Sequence, residues 1–498
     1  MVKKTLAAAL AAVLALSSLT ACGTMPPGDR DEIDSGPVDT SYFEEESPDM
    51  NRNPEPTSLP ADGKDFKPKD LSDFMLSDAP VLEIPVGPGP LDYENQDYDA
   101  WQAAQRTYLD QMDAFRDADG PGLDELRPAY LDFIVRTAPS VFRDENFNAK
   151  SGAYSPLSMY AALCMLSRCA AHDTRTDLVK FLGLWDAEAM NPTQRAVDAI
   201  YRNLQFLYGD QALTLANSIW LNAAMLSDGA LNQNTLDELN RDFYAGTFAA
   251  QFGTETAEQA VADWMYNQTR GLISAKPEAD EYTVALLMNA LYYKDAWSEK
   301  FSPNNTIDGV FTAADGSKQN ARLMRQTDTG YAVVKKNYIA ADMYASNGYV
   351  RFFLPDEGAS VQSLISDPEF LAEICRDDFV QTDGRRYDIS WTVPKFDASS
   401  DLDLTQAMLD AGLPDLNGDY SALSDILDIM VSQIRQLTHI KADEDGFEAA
   451  AVTVIATKTT GIAPRNDKLE ITLDRPFGFV IMSRGMPLFI GAVNDIAQ

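Results

Sequence analysis

Two histidines, His172 and His439, are all that a chain of 498 residues offers for general-base work near neutral pH. No G-x-S-x-G elbow, H-E-x-x-H helix or G-x-x-x-x-G-K-[ST] loop occurs in the sequence. With 76 Asp and Glu, a close carboxylate pair is expected by chance and marks no hydrolase. Cys164, Cys169 and His172 invite a metal reading, but on a helix the first and last would lie ~12 Å apart along the axis and could not share an ion. Cys169 and His172 could share a face yet lack a third ligand, so structural thiols are the better reading. Asp415, Asn417 and Asp419 begin like a calcium loop and lack its distal glutamate, which leaves a solvated turn. The expectation is a protein without metal or cofactor that is not an enzyme. His439 is expected to be a satisfied structural histidine.

The chain that must carry these side chains has a formal net charge of −36 at pH 7. Phosphates would be repelled over most of such a surface, which argues against nucleic acid and against heparin-type activation. The N-terminus reads as an export signal, residues 1–21, with Lys3 and Lys4 before an apolar run from Leu6 to Leu16. That run is too short to span a bilayer. Leu19-Thr20-Ala21-Cys22 resembles the lipobox of bacterial lipoproteins, which implies acylation of Cys22 and anchoring at the bacterial cell surface through lipid alone. The three other cysteines cannot all pair with one another, so a disulfide framework is not expected.

Residues 22–92 are rich in Pro, Asp, Glu and Ser and predict a disordered acidic tether. Between 93 and 124 apolar residues recur at three and four, predicting one amphipathic helix that packs on the domain after it or acts as a stalk. From Glu125 to Gln498 the composition is globular without an internal linker, predicting a single domain. Helical patterns dominate its first half, at 130–142, 157–166, 196–207 and 257–269. Strand patterns occupy 283–293, 349–354, 387–393 and 469–473. The fold class is therefore α+β.

Eight stretches, in order, resemble one family, the serpins. Ser155-Pro156-Leu157-Ser158 is similar to its SPLS helix start, and Ala216-Asn217-Ser218-Ile219-Trp220 to its ANS-[LI]-W strand. Trp264, Thr269, Gly271 and Ile273 match W…T-x-G-x-I. Asn289 to Lys294 with Trp297 and Phe301 resembles NA-[IL]-YFKG-x-W-x-x-x-F. Phe353-Leu354-Pro355, Val393-Pro394-Lys395-Phe396, Asp474-Arg475-Pro476-Phe477 and Phe489-Ile490-Gly491 complete the series.

The resemblance implies a serpin fold with a large central β-sheet, two smaller sheets and an exposed reactive centre loop, about 444–468. It implies a monomer that inhibits a serine, or cysteine, protease by suicide: the protease cleaves the loop, and the loop enters the main sheet as a new strand before the acyl-enzyme hydrolyses. Glu444, Gly446, Phe447, Ala449, Ala450 and Ala451 resemble the loop's hinge. Lys395 and Glu444 occupy the positions of a family salt bridge, and Ser155, Ser158 and Asn289 those of its shutter, where Gln436 falls at the histidine position. Small residues suit a segment that must slide between strands, Val452 to Ile455 suit a strand once inside, and Gly446 suits a pivot.

Phe447 departs from the family, which has a modest side chain there; a phenyl ring adds roughly 1–3 kcal/mol of overpacking unless the core makes room. That favours the alternative of a non-inhibitory serpin-fold surface protein, a protease substrate or binding module. Counting forward from Gly446 places the scissile bond at Thr460-Gly461, which suits elastase-like or subtilisin-like enzymes. Counting back from Arg475 places it at Arg465-Asn466, which suits trypsin-like ones, and Lys458 is a third choice. A solute-binding lipoprotein would share the leader and tether but needs two similar lobes, against the ordered matches.

Overall fold

Helices crowd the first half of the domain and strands the second, as the two hydrophobic periods predict. The computed structural model describes residues 67–77, 83–89, 91, 97–116, 122–143, 147, 150–185, 191–209, 211–227, 229–271, 279–438, 440–447 and 466–496. A short strand β1 (Val86–Gly87) and helix α1 (Tyr98–Arg116) come first, and α1 buries Tyr108, Met112 and Phe115, its residues at four and three. Next are α2 (Leu123–Phe142), β2 (Gly152–Tyr154), α3 (Pro156–Cys169), α4 (Pro192–Leu204), β3 (Phe206–Tyr208) and β4 (Gln211–Asn222). These lead to α5 (Gln233–Phe243), β5 (Ala245–Ala250), α6 (Glu255–Gln268) and β6 (Ala285–Ala296).

The strands of the second half are β7 (Ile307–Thr312), β8 (Lys318–Val334), β9 (Tyr338–Tyr344), β10 (Tyr349–Pro355), β11 (Arg385–Pro394), β12 (Phe396–Asp397) and β13 (Ser400–Asp403). The last are β14 (Val431–Thr438), β15 (Lys441–Ala442), β16 (Gly446–Phe447), β17 (Asp467–Thr472), β18 (Phe477–Ser483) and β19 (Met486–Val493). The principal sheet has β4 and β6 antiparallel at its centre, with β14 parallel to β6 on the far side and β13 beyond it. The remaining long strands form one nine-stranded sheet, because the 17-residue β8 runs through both of the smaller sheets expected and joins them.

Every residue of β6 is buried, so the strand is packed on both faces. Leu287, Leu291 and Tyr293 turn toward the main core, which includes Leu157 and Leu163 of α3. Leu286, Met288 and Ala290 turn the other way, into a second cluster with Trp264 and Met265 of α6. The principal sheet is thus a layer between two apolar surfaces, and any strand added to it must satisfy both.

The N-terminal boundary differs from the tether expected through residue 92. Leu71 and Phe74 pack against the second cluster, the Leu76 amide donates to the Thr247 carbonyl at 2.9 Å, and the Asn240 side-chain amide donates to the Ser77 carbonyl at 3.0 Å. Further on, β1 adds to β3 as a parallel edge strand. Sheet edges offer backbone partners to any extended segment, and such pairing leaves no side-chain signature in a Pro-rich, acidic sequence.

Candidate functional site

Ser155, Ser158, Asn289 and Gln436 meet where β6 and β14 run side by side. Ser155 caps α3, its Oγ accepting from the Ser158 amide at 3.2 Å and donating to the Leu488 carbonyl at 2.9 Å. Pro156 comes next, at the first helical position, which needs no amide proton. Gln436 lies beside Asn289 in the parallel register. Its Oε1 accepts from the Ser155 amide at 2.7 Å, and its Nε2 donates to the Ser155 carbonyl at 2.8 Å and to Asn289 Oδ1 at 3.0 Å. The Ser158 hydroxyl donates to the same Asn289 oxygen at 2.9 Å. All four side chains are fully buried, so this is a satisfied polar lock inside an apolar sheet.

Gly446 and Phe447, expected in the hinge, lie at the other end of the same seam. β16 pairs antiparallel with the end of β6, Gly446 opposite Ala296 and Phe447 opposite Asp295, and on its other side Phe447 pairs with Ala442 of β15. Gly446 and Phe447 therefore already occupy a strand position between β6 and β15, the continuation of β14. Gly446 has φ +157°, and a Cβ there would fall 2.1 Å from the Asp295 carbonyl oxygen, so no larger residue fits.

Residues 443–445 are held by the segment after β6. The Trp297 amide donates to the Asp445 carbonyl at 3.0 Å, the Trp297 indole to the Asp443 carbonyl at 2.9 Å, and the Phe301 amide to the Glu444 carbonyl at 3.0 Å. Glu444 pairs with Lys395 and accepts from Thr306 Oγ1 at 2.9 Å, while Asp445 pairs with Lys300 at 2.8 Å. Burial opposes the Glu444 charge, but Lys395, the backbone and Thr306 outweigh it and hold this carboxyl below its ordinary range.

The structure corrects the expected misfit of Phe447. Its ring is 1% exposed and lies 4.7 Å from the Trp297 ring and 6.4 Å from that of Tyr293. The core has made room, and the ring is already inside. One residue that the motifs do not single out is Asp295, which stands where the NA-[IL]-YFKG-x-W pattern has glycine. Its carboxylate is buried directly opposite Phe447, and an acid in place of glycine was the signal available.

The other expected positions divide. Asn466 is placed just before β17, its side-chain amide donating to Asp388 at 3.0 Å. Cys22, His439, Ala449, Ala450, Ala451, Lys458, Thr460, Gly461 and Arg465 lie outside the described residues. Burial pushes the thiols of Cys169 and Cys375 up to about 12, as befits inert structural cysteines. His172 is exposed and pairs with Asp419 at 2.8 Å. Among the described residues no group of three or more His, Cys, Asp or Glu is placed to hold a metal.

A principal sheet with a polar lock under its central seam, and a chain segment entering that seam from one end, defines a class. The family model described as serpin (serine protease inhibitor) matches residues 132–496, and the chain belongs to the serpin family. It is 26% identical over 367 residues to Serpin-ZX of Arabidopsis thaliana, covering 69% of this chain and 91% of the relative. It is 24% identical to alpha-1-antitrypsin 1-4 of Mus musculus, over 78% of this chain and 93% of the relative. Among solved structures, the thermophilic serpin tengpin in its native state aligns with TM-score 0.63 at 20% identity, over 82% of this chain and 98% of tengpin. Human thyroxine-binding globulin aligns with TM-score 0.62 at 22% identity, over 74% and 100% of the two chains.

Proposed function

We propose that this protein is a suicide-substrate inhibitor of serine proteases, trapping the acyl-enzyme when its cleaved loop enters the principal sheet between β6 and β14. The observation that carries this reading is β16, two residues of the loop lying antiparallel to both neighbours at the mouth of that seam. Continued down β6 in the same register, the loop would set Glu448 opposite Lys294, Thr453 opposite Asn289 and Thr457 opposite Ala285. Side chains alternate along a strand, so Ala449, Ala451, Thr453 and Ile455 would face the main core. Ala450, Val452, Val454 and Ala456 would face the cluster under α6. No large or unpaired charged side chain falls on either face, which an unrelated loop would rarely satisfy.

The energetics support the direction of travel. A parallel β6–β14 ladder would be exchanged for two antiparallel ones, slightly better per residue. Roughly ten new hydrogen bonds at ~1 kcal/mol each rival a whole domain's stability of roughly 5–15 kcal/mol. That suffices to deform a captured enzyme before water completes the reaction.

The test is to incubate the protein with elastase, subtilisin and trypsin, resolve the products on a denaturing gel and weigh the released C-terminal peptide. A covalent complex is expected with elastase or subtilisin and a cut at Thr460-Gly461; a complex with trypsin and a cut after Arg465 would move the target class. Cleavage by all three with no complex would overturn inhibition and leave a non-inhibitory surface serpin. The leader supports a lipid anchor on Cys22 at a bacterial cell surface, which labelled palmitate should report and Cys22→Ser should abolish.

A further inference from the structure

Phe447 and Asp295 are direct cross-strand partners, so their side chains stand on the same face of the sheet. Tyr293 and Trp297 flank Asp295 on that face, and the Phe447 ring lies over the gap between them. Beneath it the Asp295 carboxylate is 2% exposed. It accepts from the Tyr293 hydroxyl at 2.9 Å, the Asn347 amide at 2.8 Å, the Asn347 side chain at 3.1 Å and the Ala296 amide at 3.0 Å. All four donors are neutral.

No cation reaches this carboxylate among the described residues. Lys395 is engaged by Glu444 and Lys300 by Asp445, both acids of the 443–445 segment that leads into β16. Asp443, on that segment, is itself pushed up by burial. Lys294 stands on the opposite face of β6, and Gln211, on β4, approaches only through Asn347 at 3.1 Å. The Phe447 ring, cross-strand from the acid and packed against Tyr293, is the apolar neighbour that the loop itself brings to this face.

We infer that Asp295 is a positioning residue for the loop, and that its ionisation and the seating of Phe447 oppose each other, so that the hinge is held more firmly in acid than at neutral pH. The inference rests on the proposed function only for its consequence, that the loop is freer to move at neutral pH; the seating equilibrium itself is measurable without a protease. Burial raises the Asp295 pKa, while hydrogen bonds from Asn347, Tyr293 and Ala296 lower it. A lifted Phe447 admits water and returns the carboxyl toward its ordinary range. The seated state therefore binds the proton more tightly, and falling pH through the seated-state pKa favours seating. By reciprocity, removing the ring must lower the pKa of Asp295.

The experiment is hydrogen exchange by mass spectrometry on the full chain, read at the amides of Trp297 and Phe301, which bond the carbonyls of the hinge segment. After correction for intrinsic rates, protection in the wild type is expected to rise as pH falls from neutral through the raised, seated-state pKa of Asp295, by up to about tenfold per unit within the titration window. Asp295→Asn, uncharged and of equal size, is expected to show high protection without pH dependence. A flat wild-type profile, or an unchanged slope in Asp295→Asn, overturns the inference. If that variant does not fold, carbon-13 titration of Asp295 in the wild type and in Phe447→Ala decides instead: a lower pKa without the ring sustains the inference, and equal values overturn it. A protein that fails to trap proteases yet passes these tests would lose the inhibitor reading and keep this one.

Discussion

The Phe447 ring packs 4.7 Å from that of Trp297 at an angle of 59°, at the point where the loop meets the principal sheet. Trp297 in turn donates its amide and its indole N–H to carbonyls of the hinge segment. One aromatic residue thus holds the loop's base by its backbone and the loop's first buried side chain by its face. The loop is anchored at one residue and has no such large apolar group in the small-residue run after it.

Removing that anchor should loosen the native state. Phe447→Ala deletes a buried ring between two aromatic walls and is expected to cost about 3 kcal/mol in denaturant unfolding. Phe447→Leu, which keeps most of the apolar volume, should cost less than about 1.5 kcal/mol. The tryptophan emission of the alanine variant should shift to longer wavelength as water reaches Trp297. Equal midpoints for wild type and Phe447→Ala would show that the ring contributes nothing to the seated hinge.

The polar lock should be unforgiving of apolar replacement. Gln436→Leu leaves the buried Ser155 amide without its side-chain partner, while the Ser155 carbonyl keeps its bond from the Met159 amide and Asn289 keeps its bond from Ser158. One orphaned donor costs about 1–3 kcal/mol. We expect an unfolding free energy lower by about 1–3 kcal/mol and faster spontaneous loss of the native form on warming. An unchanged denaturation curve would mean that the seam is not held by these bonds.

How much of the fold and site is legible in the sequence differs from residue to residue. Ser155, Ser158, Asn289 and Gln436 come from segments up to 281 positions apart, and motif order alone brings them together. The fit of Phe447 is not legible, because its room is made by Tyr293 and Trp297 about 150 positions away, and a local reading of side-chain size sees only the bulk. Asp295 is hidden because a family pattern rewards agreement and passes over one carboxylate in place of glycine. The packing of residues 67–77 is hidden for a different reason, as backbone bonds to a sheet edge select for little in the sequence.

The ion pair at the top of the sheet should make acid stability depend on one partner. Glu444 titrates below its ordinary value in the native state, so its contribution is present above the unfolded-state pKa and is lost as pH falls through the native one. Lys395→Met should therefore flatten the fall in unfolding midpoint between pH 5 and 3.5, with little change in solvent exposure on unfolding. Because Lys395 is 40% exposed, screening matters, and 0.5 M salt should reproduce part of the effect in the wild type. Parallel pH profiles for the two proteins would show that Glu444 owes nothing to Lys395.

The register proposed for the inserted loop makes a prediction that a merely exposed loop does not. Glu448 would meet Lys294 across β6 on the face toward α6, where Lys294 is 6% exposed and an unpaired charge is costly. Glu448→Lys would place two cations together there, stall the loop near its first inserted residues, and, under the proposed function, turn an inhibitor into a substrate that the protease cleaves without forming a complex. Lys294→Glu alone should do the same by opposing two carboxylates. The double exchange, Glu448→Lys with Lys294→Glu, should restore the covalent complex, because the pair is re-formed with its signs reversed. Stoichiometry of inhibition for the four proteins reads the coupling directly. Additive losses in the double variant would place Glu448 elsewhere than opposite Lys294 and shift the whole proposed register.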